Sequence, residues 1–214
     1  GAEVRSVPWN DSFSEARNHS LDMASGDWIL VLDGDEALRP ESGPVLQRMA
    51  RRTDLLGALG RLVDHADGQT RSDWVLRFFR NAPEHRFVGA IHNQLCPEFH
   101  AKAERDGMRL AMEAEFAIDH WGHPRHAKRS KKKDERSLRL YERALRDEPD
   151  NVFLRYKYAD FLRGQGDPER ALAALDDVCE RVEAFPPEER ASYTWCTECY
   201  ALHALELMNA GRLD

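Results

Sequence analysis

The chain has 214 residues and a formal net charge of −7, from 31 Lys and Arg against 38 Asp and Glu. Hydrophobic residues make up 42% of it, enough for a buried core in one large domain or two small ones. The acidic balance argues against a general nucleic-acid or anionic-membrane binder. No apolar run reaches the roughly 20 residues that span a bilayer, and no signal-peptide pattern opens the chain, so we expect a cytoplasmic protein.

Helical and strand patterns alternate up to about residue 125. Ser12 and Glu15 form a capping box that predicts a helix to about Ala24. The run WILVL at 28–32 is apolar on both faces and predicts a fully buried strand. The further elements predicted here are a helix from Glu41 to about Arg52 and strands at 56–63, 74–79, 86–95 and 110–121. This order predicts an α/β fold with a predominantly parallel sheet at its start.

Strand patterns disappear after Arg125. Helices are predicted at 134–147, 152–164, 168–182 and 188–210, separated by segments rich in Gly and Pro. This part resembles tetratricopeptide repeats, whose period is about 34 residues. With Pro149 as the closing proline of a repeat, the close-packing and turn positions fall on Tyr141, Ala144, Ala159, Gly166, Ala171 and Leu175.

The four cysteines are Cys96, Cys179, Cys196 and Cys199, and they lack the spacing of a disulfide scaffold. Cys196 and Cys199 form a CxxC pair, but no second pair follows at zinc-site spacing. The sequence therefore favours two thiols on a helix face over a metal or redox site.

Three carboxylates, Asp33, Asp35 and Glu36, follow the predicted strand at 28–32 and define the acidic turn, residues 33–36. The carboxyl edge of a parallel sheet is where open α/β folds bind ligands, and carboxylates suit Mg²⁺ or Mn²⁺. A solvated turn is the alternative. An EF-hand loop is excluded because Ala37, Leu38 and Pro44 stand where it needs an oxygen ligand, a glycine and a further oxygen ligand. Ala37 also argues against a haloacid-dehalogenase-like phosphatase, whose pattern has Thr or Val there.

Several ordered motifs lie within residues 3–123. They are F-S-E-A-R-N from Phe13, W-I-L-V-L-D-G-D-E from Trp28, R-F-F-R-N from Arg77, F-V-G-A-I-H from Phe87 and I-D-H-W-G from Ile118. Together they resemble the family 2 glycosyltransferases of the GT-A fold. The likeness is to a bacterial branch that often appends tetratricopeptide repeats. It implies a partial GT-A segment at 1–124, which is α/β, followed by an all-α tetratricopeptide-like region at 125–214.

The resemblance implies a metal-dependent, inverting glycosyltransferase that takes a sugar from a nucleotide-diphosphate donor, with a UDP-sugar as the first choice. A divalent cation, Mn²⁺ or Mg²⁺, is the implied cofactor. The residues implied on the donor side are Arg17, Asn18, Asp33 and Asp35, and those implied near the metal are Asp33, Asp35 and His120.

On the acceptor side the resemblance implies Arg77, Arg80 and His92. Alternatively, the two arginines are surface charges and His92 is a satisfied core histidine. The general base is left open, because Asn93 stands where the family commonly has Glu. Glu36 and His92 are the catalytic candidates, and the other carboxylates available as a base are Asp73, Glu84 and Glu98.

Family relatives begin with a strand, a helix and a D-x-G-S-x-D turn that are not found here, so we expect an internal piece of a longer protein. The alternative function is a protein-interaction module, built on the repeats, whose transferase half is incomplete or degenerate. The basic stretch 125–133 is expected to be a solvated linker or a contact for an anionic acceptor or the donor phosphates.

Overall fold

The computed structural model describes residues 2–66, 69–95, 99–122 and 131–212. The chain divides into two compact units, the sheet unit (Gly1–Lys133) and the helical unit (Asp134–Asp214). The predicted boundary between residues 124 and 125 lies outside the described residues and stays a prediction, and Cys96, Glu98 and most of the basic stretch lie outside them too. None of the helices in the described ranges is long and apolar enough to cross a membrane.

The sheet unit contains short helices around a mixed sheet. Its elements are α1 (Phe13–Asp22), β1 (Trp28–Leu30), β2 (Glu36–Leu38), α2 (Ser42–Ala50), β3 (Leu55–Ala66), β4 (Gln69–Arg80), β5 (Phe87–Val88), β6 (Gln94–Leu95), α3 (Phe99–Arg105) and β7 (Arg109–His120). The capping box is confirmed, because the Ser12 hydroxyl accepts a hydrogen bond from the Glu15 N–H at 3.2 Å. In the described residues a five-stranded sheet has the order β1-β4-β3-β7-β2, and β5 and β6 form a separate pair.

The prediction of a predominantly parallel sheet is wrong. Among the described strands β3 and β7 pair in parallel, whereas β1 with β4, β3 with β4 and β2 with β7 are antiparallel. Only two residues separate β3 from β4, where Ala66 pairs with Gln69. So short a connection can join antiparallel strands only, since parallel neighbours need a long crossover.

The prediction that WILVL is fully buried is also wrong. β1 is an edge strand of three residues, of which Ile29 is buried, and Leu32 beyond it is 41% exposed. The predicted strand at 86–95 is likewise two short strands. The backbone turns between them at Gly89 and His92, whose φ angles are +88° and +50°.

The sheet has a hydrophobic cluster on each face. The cluster beside α2 includes Val45, Met49, Phe78, Phe116 and Ile118. The cluster beside α1 and α3 includes Leu21, Ile29, Phe79, Phe87 and Phe99. Because successive strand residues point to opposite faces, Phe78 and Phe79 enter different clusters, and the same alternation separates Arg77 from Arg80.

The described part of the helical unit contains five helices, of which the first, α4, begins three residues before the boundary at Asp134. They are α4 (Lys131–Asp147), α5 (Val152–Gly164), α6 (Pro168–Glu183), α7 (Pro187–Ser192) and α8 (Thr194–Asn209). The helix predicted at 188–210 is two helices, because the backbone of Tyr193 is extended. The predicted close-packing positions Tyr141, Ala144, Ala159, Ala171 and Leu175 are all buried. Gly166 adopts a φ of +74° in its turn, as the repeat pattern predicts.

Candidate functional site

The acidic turn is held by two arginines. The Arg17 guanidinium, on α1, donates to both carboxylate oxygens of Asp33 at 2.7 and 2.8 Å. Arg77, on β4, donates to Asp33 at 3.2 Å and to Glu36 at 2.6 Å. Two positive charges therefore balance the charges of Asp33 and Glu36.

Glu36 also shapes the backbone of the turn. Its Oε2 accepts a hydrogen bond from the Asp33 N–H at 2.8 Å, and its own N–H donates to the Asp33 carbonyl at 3.0 Å. The Glu36 side chain is 2% exposed and both of its oxygens are engaged. Such a carboxylate is poorly placed to take a proton from an acceptor, which argues against Glu36 as the general base.

The Asp33 carboxylate is ionised at neutral pH. Its partial burial would raise its pKa, but the charges and hydrogen bonds of Arg17 and Arg77 outweigh burial and hold the pKa below its ordinary value. A cation at Asp33 would have to compete with both guanidinium groups.

Asp35 has a different setting from its two neighbours. Its side chain is 53% exposed, and its Oδ2 lies 3.5 Å from Nε2 of His120. The backbone fixes this approach, because Glu36 pairs with His120 across β2 and β7 and the Trp121 N–H donates to the Asp35 carbonyl at 3.0 Å. Asp35 is therefore the carboxylate of the acidic turn that is open to a ligand.

A second carboxylate lies on the other side of the His120 ring. Asp64 pairs with His120 across β3 and β7, and its Oδ1 lies 3.4 Å from Nδ1 of the ring. That oxygen is buried and makes no hydrogen bond of good geometry. Gly122 packs against the same ring, since a Cβ there would lie 2.6 Å from Cε1 of His120. The ring is thus fixed with Nδ1 towards Asp64 and Nε2 towards Asp35.

The residues predicted as metal contacts do not form a complete metal cage. In the parts of the chain that the structure describes, no group of three or more His, Cys, Asp or Glu side chains is arranged to hold a metal ion. Asp35 and His120 are adjacent, while Asp33 is turned to the arginines. A cation here would need most of its ligands from a bound molecule or from water.

Sequence reasoning missed a further cluster beside His120. Asp119 accepts hydrogen bonds from Arg39 at 2.8 and 3.0 Å, and its Oδ1 lies 2.7 Å from Nε2 of His65. The His65 ring stacks on Trp121 at 5.8 Å, and Trp121 is 55% exposed. Only the pairing of β3 with β7 brings Asp64, His65 and Asp119 together, and no local sequence pattern marks it.

Asn18 and His92 lie by the β5–β6 pair. The Asn18 amide brackets the Phe87 backbone, donating to its carbonyl at 2.9 Å and accepting from its N–H at 2.8 Å. This structural use of Asn18 argues against a direct contact to a nucleotide. His92 is exposed, at a φ of +50°, so it is not a core histidine.

Arg80 is not brought together with Arg77. Its guanidinium lies 4.7 Å from the centre of the Trp28 ring and donates to the carbonyls of Leu55 and Arg52, both at 2.8 Å. Arg80 therefore stabilises the other face of the sheet, whereas Arg77 belongs to the acidic turn.

The other base candidates are spread over the sheet unit. Asp73 is exposed on β4, and Glu84 pairs with Lys102 at 3.2 Å. Glu98 lies outside the described residues. The general base stays open.

Comparison with known proteins agrees with the motifs. A family model described as glycosyl transferase family 2 matches residues 1–109. A TPR repeat-containing protein of Synechococcus elongatus is 30% identical over 172 residues, which are 80% of this chain and 43% of that protein. The SPbeta prophage-derived glycosyltransferase SunS of Bacillus subtilis is 24% identical over 152 residues, which are 70% of this chain and 34% of that protein. The chain spans less than half the length of these curated relatives.

Proposed function

Because the chain belongs to glycosyl transferase family 2, we propose that it is part of a metal-dependent, inverting glycosyltransferase. The donor is a sugar on a nucleotide diphosphate, with UDP as the expected nucleotide, and the acceptor is unidentified. The observation that carries the proposal is the exposed Asp35 carboxylate beside Nε2 of His120.

The charges of the acidic turn support this assignment. Asp33 and Glu36 are matched by Arg17 and Arg77, so they do not call for a cation. Asp35 has the His120 ring as its one ion-pair partner among the described residues, and more than half of it is in water. In a merely solvated turn, Asp33 and Glu36 would not need to be anchored in a way that leaves Asp35 next to the His120 imidazole.

The residues fit a divalent cation at Asp35 and His120. Neighbouring ligands of an octahedral Mg²⁺ or Mn²⁺ stand about 3 Å apart when the bonds are about 2.1 Å, close to the 3.5 Å between Oδ2 and Nε2. The bound cation would neutralise charge on the diphosphate leaving group. Asp64 faces Nδ1 at 3.4 Å, on the other side of the ring, which leaves Nε2 towards Asp35 as the ligand atom.

The arginines keep the turn in place while the donor binds. Arg17 and Arg77 hold Asp33 and Glu36 and so fix where the Asp35 backbone lies. His92, exposed between β5 and β6, is retained as an acceptor-side and catalytic candidate. The inverting stereochemistry rests on the family resemblance.

We assign the helical repeats to partner binding. Tetratricopeptide-like units present grooves between helices, and a peptide or protein held there would be a candidate carrier of the acceptor. The match to a TPR repeat-containing protein supports this role. The same match supports the interaction-module alternative, in which the sheet unit transfers no sugar.

The test is thermal unfolding of this chain with Mn²⁺, with UDP and with both. A ligand at about 100 times its Kd stabilises by about 2.7 kcal/mol, which raises the unfolding temperature of a chain of this size by about 5–10 °C. We expect UDP to shift the unfolding temperature only when Mn²⁺ is present. Asp35→Asn should abolish the shift, and removal of Mn²⁺ with EDTA should reverse it.

Asp150→Asn is the matched control, because Asp150 is an exposed aspartate of the helical unit. It should leave the shift unchanged. A UDP shift that is equal without Mn²⁺, or that persists in Asp35→Asn, would contradict the metal-dependent site. No shift in any combination would favour the interaction-module alternative for this chain.

A further inference from the structure

Two thiols lie in contact between α6 and α8 of the helical unit. The Sγ atoms of Cys179 and Cys199 are 3.7 Å apart. Cys199 is fully buried, whereas Cys179 keeps 7% of its surface exposed. Neither thiol belongs to the sheet unit or to the proposed sugar-transfer site.

A histidine and a carboxylate continue from the Cys179 thiol towards solvent. Nδ1 of His203 lies 3.5 Å from the Cys179 Sγ, and its Nε2 lies 2.6 Å from Oδ1 of Asp176. The His203 side chain is 20% exposed and that of Asp176 is 50% exposed. A line of contacts therefore runs from the exposed Asp176 through His203 and Cys179 to the buried Cys199. A carboxylate and an imidazole placed next to a thiol activate cysteine nucleophiles in general.

The two thiols are electrostatically distinct. The hydrogen bond from Cys199 lowers the pKa of Cys179 to about 7, against the effect of burial, and the charge of His203 adds to the lowering. Glu183 and Asp176 oppose it. The same hydrogen bond and burial raise the pKa of Cys199. Cys179 is thus the thiol that ionises first and Cys199 the one that stays protonated.

We propose that Cys179 and Cys199 are a modification site that forms a reversible disulfide when the protein meets hydrogen peroxide. The Cys179 thiolate attacks one peroxide oxygen, so that an S–O bond forms, the O–O bond breaks, and hydroxide leaves as water after taking a proton. The Cys199 sulfur then attacks the Cys179 sulfenic acid. The S–S bond forms, the S–O bond breaks, and the leaving hydroxide takes the Cys199 proton as a second water.

The geometry supports closure of this bond. A disulfide brings the two sulfurs to about 2.05 Å, so the present 3.7 Å contact has to shorten by side-chain rotation. The bond would tie α6 to α8 within the cluster formed by Tyr156, Ala159, Val178 and their neighbours. A dithiol reductant would reverse it.

The test uses the whole chain in a Cys96→Ser background, which removes the thiol outside the described residues. After peroxide treatment we expect a peptide that links positions 179 and 199 in a non-reducing digest, and its loss on reduction. Cys199→Ala should instead give a sulfenic acid at position 179 that dimedone traps, formed more slowly because this variant also loses the hydrogen bond that lowers the pKa of Cys179. His203→Ala should oxidise about tenfold more slowly near pH 7, because less of the thiol is ionised.

Cys196→Ala is the matched control. Cys196 lies on the same helix and is 1% exposed, and burial raises its pKa. This variant should still form the 179–199 disulfide. The proposal is overturned if the native chain keeps both thiols under peroxide that oxidises the urea-unfolded chain. It is also overturned if a digest cut after Glu198, which separates positions 196 and 199, shows the disulfide at position 196. An unchanged rate in His203→Ala would overturn the activating role of His203.

Discussion

At the scale of single residues, Asp119 is the clearest case of a charge whose environment predicts a pH dependence. The hydrogen bonds from Arg39, together with His65, lower the pKa of Asp119 to about 2. An aspartate in an unfolded chain titrates near 3.9. Because the folded-state pKa is the lower one, the ionised carboxylate stabilises the fold above about pH 4, and this stabilisation is lost as the pH falls through 4 towards 2.

We therefore expect Asp119→Asn to lower the free energy of unfolding by about 1–2 kcal/mol at pH 7, a range that allows for solvent screening. The difference from the native chain should shrink at pH 3, as measured by thermal unfolding at both pH values. Asp54→Asn is the control, since Asp54 pairs with Arg52 on the surface with 47% of its side chain exposed. It should change stability little, and an equal loss in both variants would contradict the prediction.

Single residues also show how far sequence reasoning reaches into the site. The family resemblance grouped Asp33, Asp35 and His120, and the structure places Asp35 beside His120. It grouped Arg77 with Arg80 and His92 on the acceptor side, whereas Arg77 pairs with Asp33 and Glu36. Only the fold shows that arginine partners neutralise Asp33 while Asp35 stays open. Asp64 was missed since its link to His120 is a pairing of strands far apart in sequence.

At the scale of elements, the pairing of β3 with β7 depends on a glycine. A Cβ at Gly60 would lie 2.4 Å from Cδ1 of Phe116, and that ring is fully buried and cannot move aside cheaply. We expect Gly60→Ala to destabilise the sheet unit by about 1–3 kcal/mol, the usual cost of overpacking a core. Chemical denaturation followed by tryptophan fluorescence would measure it.

The same substitution at Gly43 is expected to raise stability instead of lowering it. Gly43 lies in α2, and a Cβ there would meet no atom within 4 Å. Alanine should stabilise the helix by about 0.5–1 kcal/mol, because it loses less conformational freedom on folding. A loss of stability in Gly43→Ala, or no loss in Gly60→Ala, would show that the close approach is not what constrains β3.

Elements differ in how well the sequence predicted them. The sequence predicted the helices that carry local signals, such as α1 with its capping box and α6, which has Pro168 directly after its N-cap Asp167. The sequence did not predict the strand order of the sheet, because strand pairing joins distant residues and leaves no local pattern. β2, with three residues, is too short for any periodicity to mark it.

At the scale of the whole molecule, each unit has a buried core of its own. Ile118 is fully buried in the cluster beside α2, and Leu175 is fully buried in the helical unit. Each unit therefore has the means to lose its structure by itself, as cooperative units within a chain do.

This independence can be measured residue by residue. Ile118→Ala and Leu175→Ala each remove buried methyl groups and should cost about 2–5 kcal/mol. In hydrogen exchange, we expect Ile118→Ala to reduce protection of the strands of the sheet unit and to leave α5 and α6 at their native level. Leu175→Ala should do the reverse. If either variant lowers protection equally in both units, the chain unfolds as one cooperative body, and ligands of the sheet unit must then also stabilise the helices.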